Sequence, residues 1–431
     1  MTAEVIILNS SGVALAADSA VTIGGTKIYN TAIKLMALSK TEPVGVMVYG
    51  NAGLMGVPWE TLIKVYRSQL KDKQFDQLEA YPEDFLAYLK SRSDLFPSDL
   101  ESRWVGGNVY QYYDGLRQAL IKKVQPLMEA GEAVTEVQVA KALEQLIDER
   151  HSQLKEEAFA PGMDEAFETK SRKHYSDLFK QALEGTFQNL KPKTSYVSKL
   201  YDIAIFLHTR AVFSRASSGL VVAGFGEKEI YPSVASYEVE GIIQGRLKYR
   251  PLASKSKKIT HSRDAAIYPY AQEDMVNLFM HGVNSRVLFF MQNALTRLVE
   301  RVPDLLKDED LKTEARSAAE IKSALSLNLQ AALGSYYQEF GKHIRDEHIA
   351  PVMNMVRVLP KDELAAMAEA LVNLTAFKRK MTNTLETVGG PIDVAVISKG
   401  DGLVWVKRKH YFPAELNAPF HRNYFRGIDN E

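Results

Sequence analysis

Residues 1–22 read MTAEVIILNSSGVALAADSAVT, and the fold turns on them. Most chains spend their first residues on a frayed, polar tail. Here Val5, Ile6, Ile7 and Leu8 start a strand almost at once, so Thr2 is held on the end of an ordered element. Asn9-Ser10-Ser11-Gly12 supplies turn residues. Val13–Ala17 then follows as a nearly all-apolar run, the composition of a strand covered on both faces. Whether Thr2 does anything there depends on what the rest of the chain brings near it.

The composition bounds the answer. The chain has 431 residues, 46% hydrophobic and 25% charged, which are ordinary globular proportions. Length alone suggests about two or three domains. Lys plus Arg equals Asp plus Glu at 53 each, so no net field favours nucleic acid, an anionic membrane or acidic substrates. With no cysteine there is no disulfide, no thiolate nucleophile and no zinc–thiolate site. The amino terminus lacks the pattern of a signal peptide, and no apolar run reaches the roughly 18 residues of a membrane span. A cytoplasmic protein without membrane contact is expected.

Three stretches read as sheet. Residues 3–55 alternate strand-like segments with turns, including Val44–Tyr49 before Gly50-Asn51-Ala52-Gly53. Residues 201–250 contain Ile203–Leu207, Gly219–Gly224 and Ile230–Val239, apolar and punctuated by Gly and Pro. Residues 391–412 give Ile392–Ile397, a turn at Lys399-Gly400-Asp401-Gly402, and Leu403–Val406, a good hairpin signal. Helical periodicity covers roughly 58–200 and 272–380. Pro360-Lys361-Asp362-Glu363 reads as a helix start, with the basic end of LAAMAEALVNLTAFKRK at its stop. The alternation predicts one sheet-based domain over 2–431, with a core at about 2–66, 201–270 and 360–412. Helical insertions then fall at about 67–200 and 272–359.

Removal of Met1 would expose a threonine carrying a free α-amine and a hydroxyl on one residue. With a reference pKa of about 7.7–8.0, a useful fraction of that amine is neutral near pH 7 and can act as a base. A threonine activated by its own amine is a recognised nucleophile–base pair. A small second residue is common, however, and alone it favours no catalysis. Asp18 and Lys34 follow Thr2 by 16 and 32 residues, Asp18 at the end of the apolar strand and Lys34 in KIYNTAIKL. Each alone reads as a turn former or a surface cation.

Together, this block resembles the proteasome β-subunit type of N-terminal nucleophile (Ntn) hydrolase, as a bacterial-type homologue with large helical insertions. That family has a threonine at the mature amino terminus, a G-V-x-L-A-A-D-S-like strand and a following lysine, and Thr2, Asp18 and Lys34 fall at its spacing. The resemblance implies that Lys34 lowers the proton affinity of the threonine hydroxyl and amine, and that Asp18 holds Lys34. VGVMVYGNAG resembles the strand and turn that supply a backbone oxyanion donor, here Gly50, given a two-residue insertion near Ser39–Glu42. GGPIDVAVISKGDGLVWV resembles the family's carboxy-terminal hairpin and reads as scaffold. Val21, Thr22, Ala32, Val48 and Ala52 match substrate-binding positions, an uncharged pocket for neutral apolar side chains. The resemblance covers about 2–66, 203–240 and 360–407. It departs at Leu385 and Val388, where the family carries an Asp and a Ser beside the nucleophile's amine. A second supporting Ser has no counterpart around Tyr268–Met275.

The resemblance implies a four-layer αββα sandwich of two antiparallel sheets and an N-terminal threonine amidohydrolase, foremost a peptidase, with peptide or protein substrates and no cofactor or metal. A transpeptidase or ligase using the same acyl-enzyme is one alternative. A non-catalytic scaffold that binds partners through its insertions is another. Insertions of this size would occupy the surface that ring stacking needs, so a monomer or a small closed oligomer, foremost a dimer, is expected. Four other signals read as structural. The basic run from Lys248 to Arg263 reads as a solvated loop. His343 and His348 do not share a helix face well enough to suggest a metal pair. Gly224 and Gly226 read as turn residues, and the tyrosines of Val109–Leu116 as helix packing.

Overall fold

A computed structural model describes residues 2–23, 27–129, 135–188, 190, 192–261, 265–311, 317–382, 388–410, 412–419 and 422. Met1 and Leu385 therefore lie outside the described residues. The fold is α+β, built on antiparallel sheets, and the chain divides into two compact units. One comprises Met1–Leu35 with Lys258–Glu431, the other Met36–Lys257.

The chain begins with β1 (Ala3–Asn9) and β2 (Gly12–Ala17), joined by a two-residue turn, then β3 (Val21–Ile23) and β4 (Lys27–Tyr29), which pair with each other. The second unit follows with β5 (Leu35–Ala37), β6 (Val44–Gly50) and a small hairpin of β7 (Gly53–Leu54) and β8 (Val57–Pro58). Seven helices come next: α1 (Trp59–Leu70), α2 (Ala80–Ser91), α3 (Ser98–Glu129), α4 (Glu136–Glu156), α5 (Glu165–His174), α6 (Ser176–Thr186) and α7 (Thr194–Thr209). The unit closes with β9 (Ser218–Gly224), β10 (Ser233–Ile243), β11 (Arg246–Pro251) and β12 (Lys257–Lys258). Its sheet runs β11-β10-β9-β6-β5, and its helices enclose an apolar core around Tyr113, Phe179 and Leu200.

Back in the first unit, β13 (Ala265–Ala271) precedes α8 (Asp274–His281), α9 (Ser285–Leu305), α10 (Asp308–Leu311), α11 (Ala318–Ile344), α12 (Ala350–Val356) and α13 (Lys361–Lys380). A turn of π-helix at Arg345–Ile349 joins α11 to α12. The hairpin β14 (Asp393–Ser398) and β15 (Gly402–Lys407) ends the sheet, whose order is β13-β1-β2-β14-β15.

Strand alternation explains the packing of this sheet. Ala3, Val5 and Ile7 of β1, with Ala14 and Ala16 of β2, turn one face to Leu364, Ala368, Leu371 and Val372 of α13. Every residue of β1 and β2 is buried, and apart from Glu4 and Asn9 none carries a polar side chain. One residue is out of place by this logic. Glu4 stands in the middle of the apolar run and is fully buried.

Two sequence expectations need correction. Ile203–Leu207 is helical, inside α7, with Ile203, Ala204, Ile205 and Phe206 buried. A short apolar run has no period of its own, and the helical core around α7 decides its conformation. Nor is the basic run from Lys248 a solvated loop: Lys248 lies on β11 with none of its side chain exposed, and Arg263 is outside the described residues. No helix among the described residues is long and apolar enough to cross a membrane.

Candidate active site

Where β2 ends, the chain turns and Asp18 follows. Its backbone N–H continues the pairing with β1 by donating to the Ala3 carbonyl at 3.1 Å. Its carboxylate folds back over the same junction. Oδ1 accepts the Ala3 N–H at 3.0 Å, while Oδ2 accepts N–H groups from Gly389 at 2.9 Å and Ala20 at 3.3 Å. Lys34 Nζ reaches Oδ1 at 2.5 Å. Asp18 thus ties together the start of β1, the end of β2, the Gly-Gly turn before β14 and the cation, with no part of its side chain exposed.

The turn residues make this convergence sterically feasible. Gly390 has φ +76°, and a Cβ there would lie 2.7 Å from the Asn30 side chain. Ser19 donates its backbone N–H to the Gly389 carbonyl at 3.1 Å and its hydroxyl to the Pro391 carbonyl. The Ala32 N–H meets the Ser19 carbonyl at 3.1 Å, anchoring the segment that delivers Lys34. Thr2 itself is 5% exposed, and its carbonyl accepts the Gln272 N–H at 3.1 Å just past β13.

Lys34 is as notable for what it leaves uncommitted. Its ammonium has three donors, yet among the described residues its one hydrogen-bond partner is Asp18. Beside it, both carboxyl oxygens of Glu4 are buried without a hydrogen-bond partner among the described residues. Burial pushes the Glu4 carboxyl up to about 8, with the Lys34 charge pulling it back and the Asp18 charge adding to the rise.

Thr2, Asp18 and Lys34 therefore come together in the first unit. Val21, Thr22 and Ala32 lie in the same unit and are half-buried, and the Thr22 hydroxyl has no partner among the described residues. Gly50, Val48 and Ala52 belong to the second unit. There Gly50 ends β6 at φ +83°, and a Cβ would meet the Ser217 carbonyl oxygen at 2.6 Å, so its turn alone demands glycine. Val48 is buried in β6, and Ala52 is exposed. Val388 is buried in the apolar cluster under α13 and brings no polar group.

Two participants escaped the sequence. Gly389 read as scaffold but donates directly to Asp18. Glu4 carried a signal all the same, a lone charge inside an otherwise apolar strand.

No family model matches the chain, and no curated protein matches it. The chain is similar to solved structures of Anbu proteins. One, a helical assembly of the Anbu complex from Pseudomonas aeruginosa, is 10% identical with a TM-score of 0.28, over 99% of this chain and 93% of that one. Anbu (ancestral beta-subunit) from Yersinia bercovieri is 9% identical with a TM-score of 0.27, over 100% and 97%. A mutant Anbu from a Hyphomicrobium strain is 8% identical with a TM-score of 0.27, over 100% and 98%. Likeness at these values carries neither family nor activity. Assignment to the proteasome β-subunit-like family as a bacterial-type homologue is corrected accordingly.

Proposed function

We propose that the chain is an N-terminal threonine amidohydrolase that cleaves peptide bonds. The observation that supports this most is the Asp18 carboxylate. It binds the peptide N–H next to Thr2 at 3.0 Å and the Lys34 ammonium at 2.5 Å, so a buried cation is held at the root of the candidate nucleophile. Cleavage of the Met1–Thr2 bond frees the amine. That amine takes the hydroxyl proton, directly or through one water, as Oγ1 attacks the substrate carbonyl carbon. Lys34 favours the anionic oxygen and disfavours a charged amine. The ammonium returns its proton to the leaving amine, an ester forms on Thr2, and water activated by the same amine hydrolyses it. Val21, Thr22 and Ala32 of the first unit are proposed to line an uncharged pocket that rejects charged side chains.

Kinetics on a panel of fluorogenic peptides test this reading. Thr2→Ala is expected to lose activity by about 10⁴-fold or more with an unchanged fold, Thr2→Ser to retain part of it, and neutral apolar residues to win at the cleavage site. Full turnover by Thr2→Ala would refute the assignment. One observation favours the scaffold alternative. Helices α9 and α11 expose Phe289, Phe290, Leu298 and Leu327, each more than half accessible, a surface of the kind that marks protein contacts. An inactive but correctly processed protein would favour that reading.

A further inference from the structure

Thr2 directly precedes β1, and its carbonyl accepts the Gln272 N–H at 3.1 Å, which carries the β1–β13 pairing one residue further; by strand alternation Thr2 and Glu4 then share a face, about 6.6 Å apart. Glu4 pairs in register with Ala17 of β2 and Tyr270 of β13. The charged groups around it are few. Lys34 and Asp18 act on it directly. Asp393 of β14 lies beyond Ala17 and is already matched by Lys409, at 2.7 Å from Nζ and 2.8 Å from the backbone N–H. Helix α13 packs on the opposite face, and its Arg379 donates to the Gln272 side chain. Among the described residues, the one cation that acts on Glu4 is thus the one proposed to act on Thr2.

Resting on the threonine-nucleophile reading, we propose that Glu4 is a positioning residue that acts through Lys34: while it carries its proton the Lys34 charge is directed at Thr2, and its ionisation switches the site off. The geometry gives the reason. Asp18 already compensates Lys34 and is saturated by three backbone N–H groups. A second buried carboxylate on the Thr2 face would leave the cluster with net negative charge and raise the proton affinity of both Thr2 groups. As a neutral acid, Glu4 leaves the field of Lys34 intact. The burial that raises its pKa to about 8 keeps it neutral over the pH range in which the Thr2 amine first becomes a usable base. The two titrations together give a bell-shaped profile with macroscopic limbs. The proton lost from Glu4 on the alkaline side goes to solvent.

The test compares wild type with Glu4→Gln, which keeps shape and neutrality but cannot ionise. At pH 6.5 kcat/KM is expected to agree within about threefold. At pH 9 the variant is expected to exceed wild type by about tenfold, the factor by which a group of pKa about 8 is depleted of its proton. An alkaline limb that does not move would overturn the proposal. A second measurement needs no turnover and is made in a Thr2→Ala background. The folded-state pKa of Glu4 lies above its ordinary value of 4.5, so its contribution to stability is complete below pH 4.5 and lost as pH rises through about 8. The melting temperature should therefore fall across that window relative to the Glu4→Gln protein, and an identical pH dependence would count against the proposal. That fall without any activity in wild type would defeat the threonine reading and leave the Glu4 titration standing. Should the variant fail to fold, ¹³C NMR of labelled glutamate in wild type decides. One Cδ resonance titrating near pH 8 supports the inference, and none above pH 6 overturns it.

Discussion

Each unit contains a buried glutamate near a buried lysine, and the two environments have opposite character. In the second unit Lys248 contacts Glu240 at 2.5 Å and spends its remaining donors on the carbonyls of Leu207, at 2.5 Å, and Val212, with the Phe213 ring 4.8 Å away. Glu240 also accepts the Ser214 N–H at 2.8 Å. Burial works to raise the Glu240 carboxyl, but Lys248 and Ser214 overcome it and hold it below the ordinary carboxylate range. In the first unit Lys34 keeps two donors uncommitted among the described residues, and the Glu4 carboxyl has no hydrogen bond there. Its carboxyl moves the other way, to about 8. Saturation marks the Lys248–Glu240 pair as structural. A buried ammonium with spare donors beside an unpartnered acid is costly to maintain, and such cost is expected at a site that does chemistry.

The largest expected effect breaks the saturated pair. Lys248→Met leaves Glu240 buried without its cation and should destabilise the protein by about 3–5 kcal/mol. The rate per folded molecule should not change. Denaturant unfolding alongside kinetics reads both, and a fall in rate without loss of stability would erase the distinction between the two pairs. Next in size, Lys34→Met should lower kcat/KM by about 10²–10³-fold, or about 2.7–4 kcal/mol. It should cost less stability than Lys248→Met, because Asp18 keeps three backbone donors. Were its main effect on stability, with the rate within about threefold, Lys34 would be a second structural lysine.

Much of the strand framework was legible in the sequence, for physical reasons. β1 and β2 announce themselves through apolar runs around a turn of small polar residues, and the β14–β15 hairpin through Asp401-Gly402. Ile203–Leu207 was illegible as helix because five apolar residues fit either period, and the α7 core decided between them. The burial of Lys248 was hidden too, since its partners Glu240, Leu207 and Val212 lie 8–41 residues away. In the candidate site, Thr2, Asp18 and Lys34 stood out by spacing within a resemblance. Gly389 could not, because nothing local ties a glycine to a carboxylate 371 residues earlier. Glu4 is a lone charge in an otherwise apolar run, and only its burial singles it out.

Thr2, directly before β1, is proposed to be a nucleophile with a free amine. Intact-mass and peptide-mass spectrometry after brief exposure of the purified protein to an activated peptide ester tests it most directly. A chain that begins at Thr2 and carries one acyl group on that residue, trapped at early times and lost on longer incubation, is the expected result. A chain that retains Met1, or acylation that spares Thr2, would contradict it.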